Sequence, residues 1–175
     1  MWDFLWLFYP LFELKFIIMS NISIFVGTVF GSSIDVANAL KNELEQQSFS
    51  VNYFEPGTLD DFIQAENIIV CTSTTGSGDL PDEIADLFYQ LKESFPLITG
   101  IPYAVIGLGD SSYGETFCGA GRQFDSLLEE LQGQRVVPLK CFDAIETTQP
   151  EIDVLSWVPE YIKQLQKTKG AISNC

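Results

Sequence analysis

Three short segments are apolar almost throughout, and they constrain the fold more than any other feature of the sequence. They are ISIFV at 22–26, NIIVC at 67–71 and YAVIG at 103–107. A strand with one face in solvent alternates apolar and polar residues, whereas a strand covered on both faces does not. The three segments therefore predict a parallel sheet that lies between two layers of helices.

Segments with helical periodicity separate these strands. Their apolar residues recur at the three- and four-residue spacing of one helix face. The four stripes are Ile34, Ala37, Leu40 and Leu44; Ile84, Leu87, Phe88 and Leu91; Phe124, Leu127, Leu128 and Leu131; and Leu155, Val158, Ile162 and Leu165. Two further strands are predicted at 51–54 and 135–141. Five strands in alternation with helices predict an α/β doubly wound fold.

The two ends of the chain are interpreted as lying outside the domain. Residues 1–18 are apolar but lack the basic start of a signal peptide. They also make a poor membrane span, because Pro10, Glu13 and Lys15 interrupt the apolar stretch. Met19 precedes the first strand, so we expect translation to start there; a peripheral membrane anchor is the alternative. The domain is expected at 19–167, followed by a frayed tail at 168–175.

The net charge of -15 and the absence of histidine exclude several classes of function. Nucleic acids require clustered Lys and Arg, and an anionic membrane surface repels an acidic chain. A basic protein partner suits the charge, although solubility explains it equally well. Without histidine, Ser–His and Cys–His catalytic pairs and the common His-based zinc sites are impossible. The four cysteines form no CxxC motif, which favours reduced thiols in the cytoplasm.

The loop after the first strand, GTVFGSS at 27–33, has the features of a phosphate site. Backbone N–H groups at a helix start attract anions, so this loop can hold a phosphate without Lys or Arg. Thr28, Ser32 and Ser33 add hydroxyl donors. The alternative is an ordinary helix cap provided by Ser32 or Ser33.

The loops after the third and fourth strands are rich in glycine and hydroxyl groups. They read TSTTGSGDLP at 72–81 and GLGDSSYGETFCG at 107–119. Glycines allow the backbone to approach a flat ligand, although an ordinary turn also uses them. Tyr113 can stack on a planar ring or pack on its own loop. Because ligands bind beyond the carboxyl ends of such strands, the three loops together predict a site for a flat, phosphorylated heterocycle.

At these loops the sequence resembles the flavodoxins, and most of all the short-chain, MioC-like flavodoxins of bacteria. The resemblance rests on GTVFGSS, TSTTGSGDLPD and GLGDSSYGETFCGAGRQFD. It implies a flavodoxin-like five-stranded parallel sheet of order 2-1-3-4-5 with helices on both faces, and FMN as the cofactor. The residues that it implies for FMN binding are Thr28, Val29, Phe30, Gly31, Ser32, Ser33, Thr74, Thr75, Gly76, Ser77, Gly78, Asp79, Leu108, Gly109, Asp110, Ser111, Ser112, Tyr113, Phe117 and Cys118.

The resemblance also assigns parts of the ligand to the loops. It implies that Thr28 to Ser33 hold the phosphate, and that Thr74 to Asp79 and Gly109 to Tyr113 line the two sides of the flavin ring. Two positions depart from the family pattern. Phe30 replaces a hydroxyl residue, and Thr75 replaces an aromatic residue, so Tyr113 is the one aromatic expected to stack on the ring.

The implied function is low-potential electron transfer by a cytoplasmic monomer that is not itself an enzyme. The implied partners are a basic flavodoxin reductase and an acceptor enzyme that the sequence does not identify. One alternative is an FMN-dependent NAD(P)H:quinone reductase on the same fold, but the chain has only nine basic residues and no arginine-rich nicotinamide site. Another is a domain that has lost its flavin. A response-regulator receiver domain is disfavoured, because Gly27-Thr28 and Cys71-Thr72 stand where it needs acidic residues.

Overall fold

Six parallel strands form the centre of the fold in a computed structural model that describes residues 20–172. They are β1 (Asn21–Gly27), β2 (Ser50–Phe54), β3 (Ile68–Ser73), β4 (Pro102–Gly109), β5 (Gln134–Arg135) and β6 (Lys140–Asp143). The strand order is β2-β1-β3-β4-β5, and β6 also pairs with β4. The predicted order is therefore confirmed, with a sixth strand in addition.

Within the described chain, five helices and one 3-10 segment accompany these strands. The helices are α1 (Ser32–Gln46), α2 (Leu59–Ile63), α3 (Asp82–Ser94), α4 (Gly119–Glu130) and α5 (Pro150–Ile172), and the 3-10 segment is Ser111–Thr116. Helices α1 and α5 cover one face of the sheet, whereas α2, α3 and α4 cover the other. Helix α2 was not predicted from the sequence, although Thr58 and Asp61 form the capping box that marks its start.

The central strands are buried on both faces, as their unbroken apolar character predicts. In β1, Ile24 and Val26 face α1 and α5, while Phe25 between them packs into the opposite layer, and all three have no exposed surface. Burying one such side chain stabilises a fold by about 1.5–3 kcal/mol. The two apolar layers thus hold the strands in position, and with them the loops at the carboxyl ends.

The predicted fifth strand at 135–141 is interrupted, which corrects the sequence prediction. Tyr103 of β4 pairs with Arg135, and Ile106 pairs with Lys140. The neighbouring chain thus advances by five residues (140 − 135) while β4 advances by three (106 − 103). Two residues must leave the ladder, and Pro138 in the gap has no N–H group to donate. The result is two short strands, of which β6 reaches the carboxyl edge of the sheet.

The last helix continues to Ile172, whereas the sequence analysis expects fraying from residue 168. Lys169 Nζ donates a hydrogen bond to Ser20 Oγ at 2.9 Å, and this bond ties the end of α5 to the start of β1. The predicted extension at 1–18 and the last three residues of the predicted tail lie outside the described residues. In the described range, no helix combines the length and the apolar character that a membrane crossing requires.

Candidate functional site

The three predicted loops meet at the carboxyl edge of the sheet around an open cleft of about 710 Å³. This is the size expected of a site for a cofactor. Residues from all three loops line it. The predicted residues among them are Thr28, Val29, Phe30, Ser32, Thr74, Thr75, Gly76, Leu108, Gly109, Asp110, Tyr113, Phe117 and Cys118.

The first loop turns sharply into α1. Gly31 caps the helix with a φ of 92°, a left-handed conformation that suits glycine, and its N–H donates to Thr28 Oγ1 at 2.9 Å. The alternative that Ser32 or Ser33 caps the helix is therefore wrong. Because both serines follow the cap in the first helical turn, their hydroxyls and N–H groups remain available at the positive end of the helix dipole.

Two buried hydroxyl groups, one in the first turn of α1 and one at the end of β3, have no partner among the described residues. Ser33 Oγ and Ser73 Oγ make no hydrogen bond to any residue that the structure describes. Of the two, Ser73 lines the cleft and Ser33 does not. A buried hydroxyl without a partner costs about 1–3 kcal/mol. The Ser73 hydroxyl therefore fits a ligand that brings hydrogen-bonding groups into the cleft.

The second loop forms a tight turn that closes on itself. Thr75 N–H donates to the Asp79 carbonyl at 3.0 Å, and Asp79 N–H donates to the Thr75 carbonyl at 2.8 Å. Gly76 and Gly78 between them have φ angles of 49° and 98°. The Asp79 carboxylate accepts the Ser77 N–H at 3.1 Å, so this side chain stabilises the turn itself.

The second and third loops touch through their backbones. A Cβ atom on Gly119 would lie 2.6 Å from both the Cα and the carbonyl oxygen of Gly78. Gln123 Nε2 donates to that carbonyl at 2.9 Å, and Thr74 N–H donates to the Leu108 carbonyl at 2.9 Å. The two walls of the cleft are therefore held in a fixed relation by atoms that have little freedom to move.

Two aromatic rings at the cleft are open to solvent. Tyr113 is 65% exposed and Phe30 is 95% exposed, and both line the cleft. Tyr113 lies in the 3-10 segment, whose start is capped by the Asp110 carboxylate through the Ser112 N–H at 2.8 Å. Its exposure shows that Tyr113 does not pack into its own loop, so the ring is available for stacking.

A fourth segment lines the cleft and was missed by the sequence analysis. It follows β6, and the prediction of one strand at 135–141 placed the end of the strand too early. The signal in the sequence was the segment DAIETT at 143–148, in which four of six residues are polar, directly after an apolar residue. The missed lining residues are Ser73, Thr116, Phe142, Asp143, Ala144, Thr147, Thr148 and Pro150.

Asp143 connects this fourth segment to the third loop. Its Oδ1 accepts the N–H groups of Ser111 at 3.1 Å and Ile145 at 3.0 Å, while Ala144 N–H donates to the Gly109 carbonyl at 2.9 Å. Hydrogen bonding from Ser111 and from the Ile145 backbone lowers the pKa of Asp143 below its ordinary value. The lowered pKa favours the ionised form of Asp143, which accepts both N–H groups.

We expect Asp143→Asn to flatten the acid dependence of stability. Because the folded-state pKa is lowered, the carboxylate stabilises the fold above its unfolded pKa of about 3.9, and this contribution is lost as the pH falls through the lower folded-state value. Urea unfolding at a series of pH values from about 5 downward measures it. Asp86→Asn on α3 removes an equal charge and should retain the full acid dependence; equal slopes for the two variants would contradict the prediction.

The remaining predicted residues belong to the same loops but do not line the cleft. They are Gly31, Ser33, Ser77, Gly78, Asp79, Ser111 and Ser112. The hydrogen bonds described above give several of them a different task. Asp79 stabilises the second loop, Ser111 anchors Asp143, and Gly31 shapes the first turn of α1.

Comparison with known proteins relates this geometry to a family. The family model described as flavodoxin matches residues 24–157. The flavodoxin YqcA of Escherichia coli (strain K12) is 43% identical over 145 residues, which are 82% of this chain and 97% of that protein. The MioC homolog of Haemophilus influenzae is 32% identical over 146 residues, 83% of this chain and 99% of that protein.

A solved structure agrees with the sequence comparison. The structure of a mutant flavodoxin from Pseudomonas aeruginosa aligns with a TM-score of 0.78 and 37% identity, and the alignment covers 83% of this chain and 99% of that one. The aligned region is nearly the whole of these relatives.

Proposed function

The chain belongs to the flavodoxin family, whose members bind FMN and carry electrons, and from this premise we propose that it passes electrons from a reductase to an acceptor enzyme. The observation that carries the proposal is the convergence of the loops after β1, β3, β4 and β6 on one cleft. FMN supplies the one- and two-electron redox chemistry when it is bound. The chain supplies binding, orientation and electrostatics.

We assign each part of FMN to one region of the cleft. On this proposal, residues Thr28 to Ser33 hold the phosphate, because they lead into the N-terminus of α1, whose first N–H groups have no partner within the helix. The second loop and the segment from Gly109 to Tyr113 enclose the flavin ring. The domain proposed for this task spans 19–167.

Acidic groups set the electrostatic conditions of the cleft. Asp110 and Asp143 both line it, and the chain as a whole carries a net charge of -15. Negative charge close to the ring disfavours the addition of further negative charge. We therefore expect the bound cofactor to be a strong reductant, as a low-potential carrier requires. The same acidity favours a reductase with a basic surface, because opposite charges steer the two proteins together.

The direct test is titration of the purified chain with FMN. The proposal predicts a yellow complex, quenched flavin fluorescence, and reduction that requires an added flavodoxin reductase. Rapid reduction by NADPH alone would indicate a quinone reductase instead. A folded chain that neither retains colour nor quenches excess FMN would contradict the proposal.

Tyr113→Ala should weaken FMN binding by about 1–3 kcal/mol, or roughly 5- to 150-fold in Kd, because it removes aromatic area and stacking. Fluorescence titration measures the change. Tyr89→Ala is the matched control, since Tyr89 is also exposed (56%) but lies on α3 away from the cleft. If the two variants had the same Kd, Tyr113 would not be the stacking residue.

A further inference from the structure

Two cysteines from different elements of the fold are neighbours of the same glycine beside the cleft. Cys118 is the residue before α4, and its Sγ lies 3.3 Å from the position of a Cβ atom on Gly107. Cys141 of β6 is the direct partner of Gly107 in the parallel pairing of β4 with β6. Gly107 thus leaves the space that brings the two thiols together.

Both thiols lie on the same face of the sheet. Residues paired across parallel strands project to the same side, so the Cys141 side chain points to the side on which a Gly107 Cβ would point. That side is occupied by Cys118 and by Gly121 of α4. The pair therefore lies between the sheet and the start of α4, next to the third loop.

The two thiols differ in exposure and in electrostatic surroundings. Cys118 is fully buried, whereas Cys141 is partly exposed. The interaction between the two thiols lowers the pKa of Cys141 and raises that of Cys118, and the positive charges of Arg122 and Lys140 lower the pKa of Cys141 further. Burial raises the pKa of Cys71 to about 12, and this thiol lies in the core on the other face.

We propose that Cys141 and Cys118 are a hydroperoxide-reactive pair, in which Cys141 is oxidised first and Cys118 then closes a disulfide. The thiolate is the reactive form of cysteine, and reactive thiols are partly exposed, near positive charge and next to a second cysteine. Cys141 meets all three conditions, whereas Cys118 lacks exposure and Cys71 lacks all of them.

The chemistry is balanced with hydrogen peroxide as the oxidant. The Cys141 thiolate attacks one peroxide oxygen and the O–O bond breaks, which yields the sulfenic acid and hydroxide; a proton converts the hydroxide to water. Cys118 sulfur then attacks the Cys141 sulfur, the S–O bond breaks, and the Cys118 proton leaves with the hydroxyl as a second water. Two thiols lose two electrons and two protons, and the peroxide accepts both.

Disulfide formation would act on the cleft, a consequence that rests on the proposed function. Cys118 lines the cleft, and its backbone nitrogen lies 2.8 Å from the position of a Cβ atom on Gly109. The third loop therefore has little room to adjust when Cys118 is drawn toward Cys141. We expect oxidation to weaken FMN binding by roughly tenfold, and a reducing agent to restore it.

The test oxidises the FMN-loaded chain in a Cys175→Ser background, which removes a cysteine outside the described residues. Stoichiometric hydrogen peroxide should lower the intact mass by about 2 Da, and peptide mapping should find Cys118 joined to Cys141. Dithiothreitol should reverse the change. Cys141→Ser and Cys118→Ser should each abolish the mass loss, whereas Cys71→Ser should leave it unchanged.

Measurements on the unaltered chain keep the result independent of the folding of the variants. Iodoacetamide should alkylate Cys141 faster than Cys71 and Cys118. Equal alkylation of the three, or peroxide oxidation that stops at Cys141 without the cross-link, would overturn the proposal. The same oxidation without FMN separates the two ideas: a cross-link in a chain that does not bind FMN would support the thiol pair and contradict the carrier function.

Discussion

Replacement of Gly119 by alanine should weaken FMN binding by roughly 100-fold or more, which corresponds to about 3 kcal/mol. The new Cβ would lie 2.6 Å from the Cα and the carbonyl oxygen of Gly78. Both are backbone atoms, so no side chain can rotate to relieve the clash, and overpacking of this kind costs about 1–3 kcal/mol or more. The second loop must move away from the third loop, and the two walls of the cleft then separate.

Fluorescence titration of FMN measures this effect, and Gly170→Ala is the matched control. Gly170 is also helical, and among the described residues a Cβ atom there would have no neighbour within 4 Å beyond its own stretch of α5. We expect the control to bind FMN with unchanged affinity and to be slightly more stable, because alanine favours helix. Unchanged FMN affinity in Gly119→Ala would show that contact between the two loops does not shape the site.

The second large effect concerns the junction of β1 with the first loop. In Gly27→Ala the new Cβ would lie 2.3 Å from Cγ2 and 2.7 Å from Cβ of Ile84, which is fully buried on α3. The helix and the strand would have to separate, so we expect the free energy of unfolding to fall by about 3 kcal/mol. Urea denaturation measures it, and the first loop should lose FMN affinity at the same time.

A double-mutant cycle isolates the contact. Ile84→Ala alone should cost about 2–5 kcal/mol through the cavity that it leaves. In the double variant with Gly27→Ala, part of the clash disappears because both γ carbons of Ile84 are gone. The double variant should therefore be more stable than the sum of the two single changes predicts, by about 1–2 kcal/mol. Strict additivity would show that the two residues do not compete for space.

The fold could be predicted because its main signals are local. Strands β1, β3 and β4 are apolar without alternation, and this property indicates burial on both faces wherever the strands lie. The division of the predicted fifth strand into β5 and β6 was not predictable in the same way. The apolar run around Val136 reads as one strand, and only pairing with β4 shows that two residues leave the ladder. Helix α2 was missed because five residues are too short for a periodic pattern.

The candidate site likewise has a part that could be predicted from local sequence and a part that could not. Its first three loops were predictable because their glycines and hydroxyl residues can be recognised in the sequence. Residues from all three loops line the cleft. The segment after β6 looks like an ordinary polar turn. It becomes part of the site because Asp143 accepts the N–H of Ser111, a contact between residues 32 positions apart. No local sequence pattern indicates a contact between residues so far apart along the chain.

The order of apolar and polar residues alone determined that this chain forms a buried parallel sheet with polar loops at one edge, because burial and backbone preference act on each residue in place. Only the tertiary structure decided which residues of different loops and strands contact one another. Cys118 packs on Gly107 beside Cys141, and Gly119 brings two loop backbones together. Both arrangements depend on a strand register and a helix position that arise only when all the layers pack.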